Sequence, residues 1–283
     1  MRFAAVHGRA SLLTPADGVI DLERATSGRF TADPQSVYLR WDELRDVAEG
    51  LDASGATPLD PNALGNPTPA PRQVFAIGLN YADHAAESSF TVPDHPTVFT
   101  KFVSSLTGPT GDIALPPGSV DWEVELVVVI GRPAHRVEAE LGWDHVAGVT
   151  VGQDISERDL QRSGPAPQFS LGKSYPGFGP VGPVLATADE LADPDDLELG
   201  CLVNGEQMQK GRTRDMVFGV GELIARLSAV TPLFPGDLLF TGTPAGVGLG
   251  RTPQRFLAPG DELVSYVRGV GEMRHRLVSG HGR

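Results

Sequence analysis

Asp121-Trp-Glu-Val-Glu-Leu-Val-Val-Val-Ile-Gly131 changes character along its length. It begins by alternating and ends apolar at every position. Alternation is the period of a β-strand, and a short run apolar throughout reads as a strand covered on both faces. Positions two apart in a strand share a side, so Glu123 and Glu125 project together, about 7 Å apart along the backbone. Two carboxylates beside a buried run are costly unless a cation or base neutralises them. The plainer alternative is a solvated strand face at a sheet edge, the usual place for Glu.

Other chemistry-bearing residues lie outward from this strand. Asp154 follows a second apolar stretch, Val146 to Val151, and precedes a predicted helix over Ser156 to Gln161 with Ser156 and Asp159 at capping-box-like spacing. With Glu123 and Glu125 it makes an oxygen-only set suited to Mg²⁺, Mn²⁺ or Ca²⁺ rather than zinc; alone, it reads as a helix cap before it reads as a ligand. Arg158 and Gln161, three apart, share a helix face and can grip a carboxylate and a carbonyl. His84 and Glu87 have the same spacing in Asn80-Tyr-Ala-Asp-His-Ala-Ala-Glu87. A carboxylate on one ring nitrogen raises the basicity of the other, the design of a general base, here on a segment polar enough to be a lid. Lys173, in the turn-rich Leu171 to Pro180, can stabilise an enolate, and Lys101 follows a short strand. Thr241-Gly-Thr-Pro-Ala-Gly-Val-Gly248 is a glycine-rich loop without the Lys of a P-loop; its amides and the Thr243 hydroxyl can hold an anion. Each residue taken singly also has a structural reading.

The net charge of -13 argues against nucleic acid and anionic membrane as partners. No apolar run is long enough to span a bilayer and no signal peptide is visible. One cysteine, Cys201, excludes an intramolecular disulfide, fits a reducing cytoplasm, and reads as a small buried hydrophobe in Leu199 to Val203. The 34 Gly and 24 Pro imply many short elements and a β-rich fold. Strands are expected at 3–6, 19–22, 74–77, 98–101, 122–130, 146–151, 197–203, 237–241 and 262–267. Helices are expected at 41–51, 81–88 and 217–228, and a hairpin at Asn204-Gly205. The prolines between Pro58 and Pro71 read as a semi-rigid linker.

Taken in order, several motifs resemble the fumarylacetoacetate hydrolase family. They are Gly78-Leu-Asn-Tyr-Ala-Asp-His-Ala-Ala-Glu87, Lys101 to Pro109, Val120 to Glu125, Gly152-Gln-Asp-Ile-Ser-Glu-Arg-Asp-Leu-Gln161, Leu171-Gly-Lys173, Val203-Asn-Gly205 and Leu239 to Gly248. The resemblance spans roughly Val74 to Val270. It implies an α+β, β-rich fold: a mixed β-sandwich roll over residues 72–283 behind a small N-terminal domain at 1–65, usually in a homodimer. It implies a metal, Mg²⁺ or a similar ion (Mn²⁺, Ca²⁺), on Glu123, Glu125 and Asp154, and a lid dyad of His84 and Glu87. Arg158, Gln161, Lys173 and Thr243 match positions that bind substrate or stabilise an enolate, and Lys101 joins them as a substrate-binding candidate. Tyr175-Pro176 and Lys210 to Arg214 depart from the family pattern and are expected where substrate choice is set.

The expected activity is metal-dependent hydrolysis of a C–C bond in a 2,4-dioxo acid, an acylpyruvate-like substrate, through an enolate. The alternative is decarboxylation of oxaloacetate, or isomerisation or decarboxylation of an unsaturated oxo-diacid of the 2-oxohept-3-enedioate type. A non-catalytic oxo-acid binder is a third possibility, against which the presence of both His84 and Glu87 speaks.

Overall fold

The computed structural model describes residues 1–87, 91 and 93–280. The N-terminal segment forms strands β1 (Arg2–Val6), β2 (Arg9–Leu13) and β3 (Gly18–Asp21), helices α1 (Leu22–Ala25) and α2 (Trp41–Glu49), and two short strands, β4 (Thr57–Pro58) and β5 (Leu64–Gly65). Next come β6 (Val74–Gly78), α3 (Ala82–Glu87), β7 (Thr97–Thr100), β8 (Leu106–Thr107), β9 (Thr110–Leu115), β10 (Val120–Asp121) and β11 (Val124–Ile130). Then follow β12 (Val146–Gln153), β13 (Ser156–Glu157), α4 (Arg158–Gln161), α5 (Phe169–Gly172) and β14 (Gly179–Ala186). The rest comprises β15 (Glu198–Val203), β16 (Glu206–Arg212), α6 (Val220–Ser228), β17 (Leu238–Phe240), β18 (Glu262–Val267) and β19 (Gly271–Ser279). The expected α+β, strand-rich fold of mixed sheets is what the chain adopts.

A twelve-stranded mixed sheet runs β4-β3-β2-β1-β14-β12-β11-β17-β6-β7, with β5 on β1 and β8 on β14. A five-stranded sheet, β16-β15-β18-β19-β9, packs against it. All seven residues of β11 are buried, and their alternation divides two cores. Val124, Leu126, Val128 and Ile130 face a cluster with Leu199, Cys201, Leu263 and Leu277 of the five-stranded sheet. Val127 and Val129 face a cluster with Phe3, Tyr38, Trp41 and Leu44 from the N-terminal segment.

The expected linker is instead built into the sheet. Residues 57–58 pair with β3, residues 64–65 pair with β1, and β1 pairs with β14. The boundary expected between residues 65 and 72 therefore falls between strands of one hydrogen-bonded sheet. Strand β14 went unread because Pro180 and Pro183 argue against a central strand. Pro183 is accommodated because the β12–β14 register is irregular there, between Val149↔Ala186 and Val151↔Gly182. Strand β19 did carry a signal: Met273, His275 and Leu277 are buried while Glu272, Arg274 and Arg276 are exposed. The expected hairpin forms with Asn204 at φ 53 and Gly205 at φ 79, as a two-residue turn requires. The expected helix over 81–88 is described as Ala82–Glu87, Ser88 lying outside the described residues. Among the described residues no helix is long and apolar enough to cross a membrane.

Candidate active site

Antiparallel register brings the three acids together. Val124 pairs with Gln153 and Glu125 with Gly152 in β11–β12, so Asp154, one step past the end of β12, lies across from Glu123 and donates its N–H to the Glu123 carbonyl at 2.9 Å. Residues opposite one another in such a pair point to the same side. One carboxylate oxygen from each of Glu123, Glu125 and Asp154 therefore lies within 4.8 Å of the others, and all three residues are buried. The solvated-edge reading of Glu123 and Glu125 and the helix-cap reading of Asp154 both fail. The cap of α4 is Glu157, which accepts from the amides of Asp159 and Leu160. Ser156, expected at that cap, accepts from Lys173 Nζ at 2.8 Å.

Buried cations surround the acids. Lys173 Nζ donates to Glu123 Oε2 and Asp154 Oδ2, each at 2.7 Å. Arg158 reaches Glu123 Oε1 at 2.7 Å, Asp121 Oδ2 at 2.8 Å and Gln161 Oε1 at 2.9 Å. Burial alone would raise the Glu123 carboxyl, but Lys173 and Arg158 outweigh it and hold it well below the usual range. Glu125 behaves oppositely. Burial, then the charges of Asp154 and Glu123, push its carboxyl well above the usual range, although the Gly242 amide donates to it at 2.7 Å. This surplus of negative charge in a hard, oxygen-only donor set fits a divalent cation.

Lys101 is 1% exposed and lies behind the acids, donating to Asp154 Oδ1 at 2.7 Å and to the Lys173 carbonyl. It is not among the residues lining the cavity, so its place suits holding Asp154 rather than meeting a substrate. Burial lowers its pKa, only partly offset by Asp154. The cavity, about 70 Å³, is lined by His84, Glu123, Arg158, Gln161, Lys173 and Thr243, among other residues. Six of the ten residues singled out from the sequence thus meet at one wall, and Glu125 and Asp154 lie against Glu123 behind it. Tyr175-Pro176 and Lys210 to Arg214, where substrate choice was expected to be set, do not line the cavity.

His84 and Glu87 pair as their spacing allows: His84 Nδ1 lies 2.8 Å from Glu87 Oε1. The other oxygen of Glu87 accepts from the Gly246 amide at 2.9 Å, which ties α3 to the glycine-rich loop. That loop is anchored in turn by Asp121, which accepts from the amides of Gly248 and Leu249. Thr243 donates to the Val124 carbonyl and accepts from Gln209 Nε2, both at 2.8 Å.

Several residues here escaped the sequence reading. Gln209 works at a distance in sequence from what it holds and carries no local pattern, and Asp121, although it shares the two-residue spacing of Glu123 and Glu125, holds partners far along the chain. Phe99 and Phe169, edge-to-face at 5.6 Å, read as ordinary apolar residues, yet both line the cavity. Leu79, also lining it, sits at φ 58, a left-handed conformation that costs a non-glycine residue about 1–2 kcal/mol. Such strain is often found at functional sites. Arg162 lines the cavity one residue past the helical pair that was recognised.

Residues 73–278 match the family model described as Fumarylacetoacetate (FAA) hydrolase C-terminal. The chain belongs to the fumarylacetoacetate hydrolase family. It is 45% identical over 214 residues to the mitochondrial oxaloacetate tautomerase FAHD2A of Bos taurus, a match covering 75% of this chain and 68% of that protein. Among solved structures it is similar to the fumarylacetoacetate hydrolase of Exiguobacterium antarcticum, at 31% identity and TM-score 0.86 over 99% of this chain and 100% of that one. The maleylpyruvate hydrolase of Sphingobium sp. SYK-6, in complex with manganese(II) and pyruvate, is 30% identical with TM-score 0.79 over 99% of this chain and 100% of that one. Members of this family among these relatives are enzymes, hydrolases and tautomerases, and the buried acids of this chain suit a divalent ion.

Proposed function

We propose that this family member is a divalent-metal-dependent enzyme of small 2-oxo acids, and that keto–enol tautomerisation of a four-carbon oxo-diacid, oxaloacetate, is the reaction its site supports best. One observation carries the reading: the His84–Glu87 dyad and the buried Glu123–Glu125–Asp154 cluster open on the same small cavity. Curated relatives named oxaloacetate tautomerases support it.

Glu123, Glu125 and Asp154 would hold the cation, which when bound supplies a Lewis acid that polarises the 2-oxo group and acidifies the neighbouring carbon. With Nδ1 on Glu87, His84 keeps Nε2 free to move a proton to or from that carbon. Lys173 sets a positive charge beside the oxygen on which enolate charge gathers, and burial keeps bulk water from screening it. Gln161 and Thr243 complete a polar wall that fixes the substrate's orientation.

The same dyad supports a second reading, hydrolysis of a 2,4-dioxo acid. There Nε2 of His84 takes a proton from water, the hydroxide adds to the distal carbonyl, the C–C bond breaks, and the departing enolate is protonated to the oxo acid. A maleylpyruvate hydrolase among the similar structures favours keeping it. The deciding experiment strips the protein with EDTA, restores Mg²⁺ or Mn²⁺, and follows enol-oxaloacetate decay and acylpyruvate cleavage in parallel. Metal-dependent ketonisation lost in both Glu123→Ala and His84→Ala supports the first reading; cleavage without ketonisation replaces it by the second. Turnover of neither substrate, or activity persisting in both variants, removes the mechanism.

The homodimer is likewise proposed. Strand β7 ends the large sheet, its Val98 is 48% exposed, and the neighbouring Phe102 and Val103 are exposed as well. Ser170 and Ser174, flanking the 62% exposed Leu171, hydrogen-bond to the amides of Thr100 and Phe102, so these apolar side chains form one candidate self-association surface. Sedimentation of the native chain tests it, a monomer being the adverse result. A cytoplasmic location is proposed on the single, buried Cys201.

A further inference from the structure

Among the described residues, three cations line the cavity: Arg158, Arg162 and Lys173. Two are already committed. Arg158 is held by Asp121, Glu123 and Gln161, and Lys173 by Glu123, Asp154 and Ser156. Neither can turn to a distant group on a substrate without leaving a carboxylate unpaired in the interior, a costly exchange. Arg162 differs. Among the described residues it makes no ion pair, and it is solvent-exposed at the cavity wall. It caps the C-terminus of α4, and its Nε donates to the Arg158 carbonyl at 3.3 Å. That bond sets the guanidinium beside the site and leaves the two terminal nitrogens as a fork suited to a carboxylate.

Charge points the same way. Four buried carboxylates, Asp121, Glu123, Glu125 and Asp154, face three buried cations, Lys101, Arg158 and Lys173. With every group ionised, one negative charge is left over; a divalent cation reverses it to one positive. That matches a single substrate carboxylate. Arg162 adds a further positive charge at the cavity wall.

We propose that Arg162 is a specificity-determining residue that binds the carboxylate remote from the reacting centre, making this enzyme selective for 2-oxo dicarboxylic acids over 2-oxo monocarboxylic acids. The proposal rests on the metal-dependent oxo-acid reading above and names its substrate class. The head of the substrate is recognised by the machinery shared by all 2-oxo acids. The tail is recognised by Arg162 alone.

The test compares two ligands that share a head and differ in the tail, pyruvate and oxaloacetate. Their binding to the Mn²⁺-loaded protein is measured by calorimetry, alongside KM and kcat for oxaloacetate. In Arg162→Met, oxaloacetate affinity is expected to fall about 10–100-fold and KM to rise in step, with pyruvate affinity and kcat changed less than about twofold. Arg162→Lys is expected to recover part of the loss, since a point charge replaces the fork. Because the side chain is exposed, both variants are expected to melt with the native protein. Equal weakening of both ligands, or unchanged oxaloacetate binding, overturns the assignment while leaving the oxo-acid reading intact. Binding of neither ligand to the native Mn²⁺-loaded protein overturns both.

Discussion

Glu125 is where the chemistry of single residues is most exposed to test. Its carboxylate lies against those of Glu123 and Asp154, and like charges in a buried space repel. Glu125→Gln keeps the acceptor that the Gly242 amide meets while removing one charge. Without metal, the variant is expected to be more stable than the native chain by about 1–4 kcal/mol. With Mn²⁺ the order reverses, because affinity falls at least about tenfold. Thermal melts with EDTA and with Mn²⁺ read both signs, and a variant less stable in EDTA contradicts the repulsion. His275 offers a separate test. Burial lowers its pKa from the ordinary 6.5, although the Gly108 carbonyl, 3.0 Å from Nε2, works the other way. The unfolded chain then binds more protons than the folded one once pH drops below about 6.5, so stability falls as the medium acidifies. His275→Gln is expected to flatten urea-derived stability between about pH 6.5 and 5, where that imidazole takes up its proton on unfolding. An unchanged slope would show that His275 does not carry it.

At the scale of elements, α3 works only where it is docked. Glu87 holds His84 with one oxygen and the Gly246 amide with the other, and its carboxylate lies against Gly250. A Cβ at Gly250 would stand 2.8 Å from Glu87 Oε2 and 3.0 Å from its Cγ. Glu87 is the far end of a flexible side chain and moves more readily than backbone. Gly250→Ala is therefore expected to displace Glu87, turn His84 out of alignment and lower kcat about tenfold or more. Its effect on melting temperature should be small. A drop in stability with kcat unchanged would mean that the contact is only packing. The loop is tied to α4 as well, since Asp121 holds both the Gly248 and Leu249 amides and Arg158. The proposed base, His84, and the residue gripping Glu123 are thus positioned by one glycine-rich turn.

Across the whole molecule, the N-terminal segment serves as a wall of the main core. Trp41 is 3% exposed, stacks on Tyr38 at 5.3 Å and meets Phe3 edge-on at 6.0 Å. These rings cover the face of β11 that carries Val127 and Val129, the same face from which Glu125 projects two residues earlier. Trp41→Ala is expected to cost about 3–5 kcal/mol in a single cooperative transition. Denaturant melts monitored at the N-terminal segment and at the metal site should coincide. Two separated transitions would show that residues 1–65 fold as a unit of their own.

Much of the site was legible because its parts carry local patterns: Glu-x-Glu at strand period, and His-x-x-Glu and Arg-x-x-Gln at helical period. The strands of β11, β15 and β18 were legible for the same reason. The residues that bind or orient across long sequence distances were not. The partners of Asp121 and Gln209 and the position of Lys101 behind Asp154 leave no mark on their neighbours in the chain, and Pro183 is tolerated where the β12–β14 register is irregular. Family membership and the identity of the three acids were thus within reach of the linear chain, since periodicity and ordered motifs are properties of local backbone geometry. Which oxygens converge, which cations are already paired and which one makes no ion pair among the described residues was decided by the tertiary structure. Charge neutralisation is set by through-space distance, and the pairing of β11 with β12 is what turns sequence separations of about thirty residues into contact.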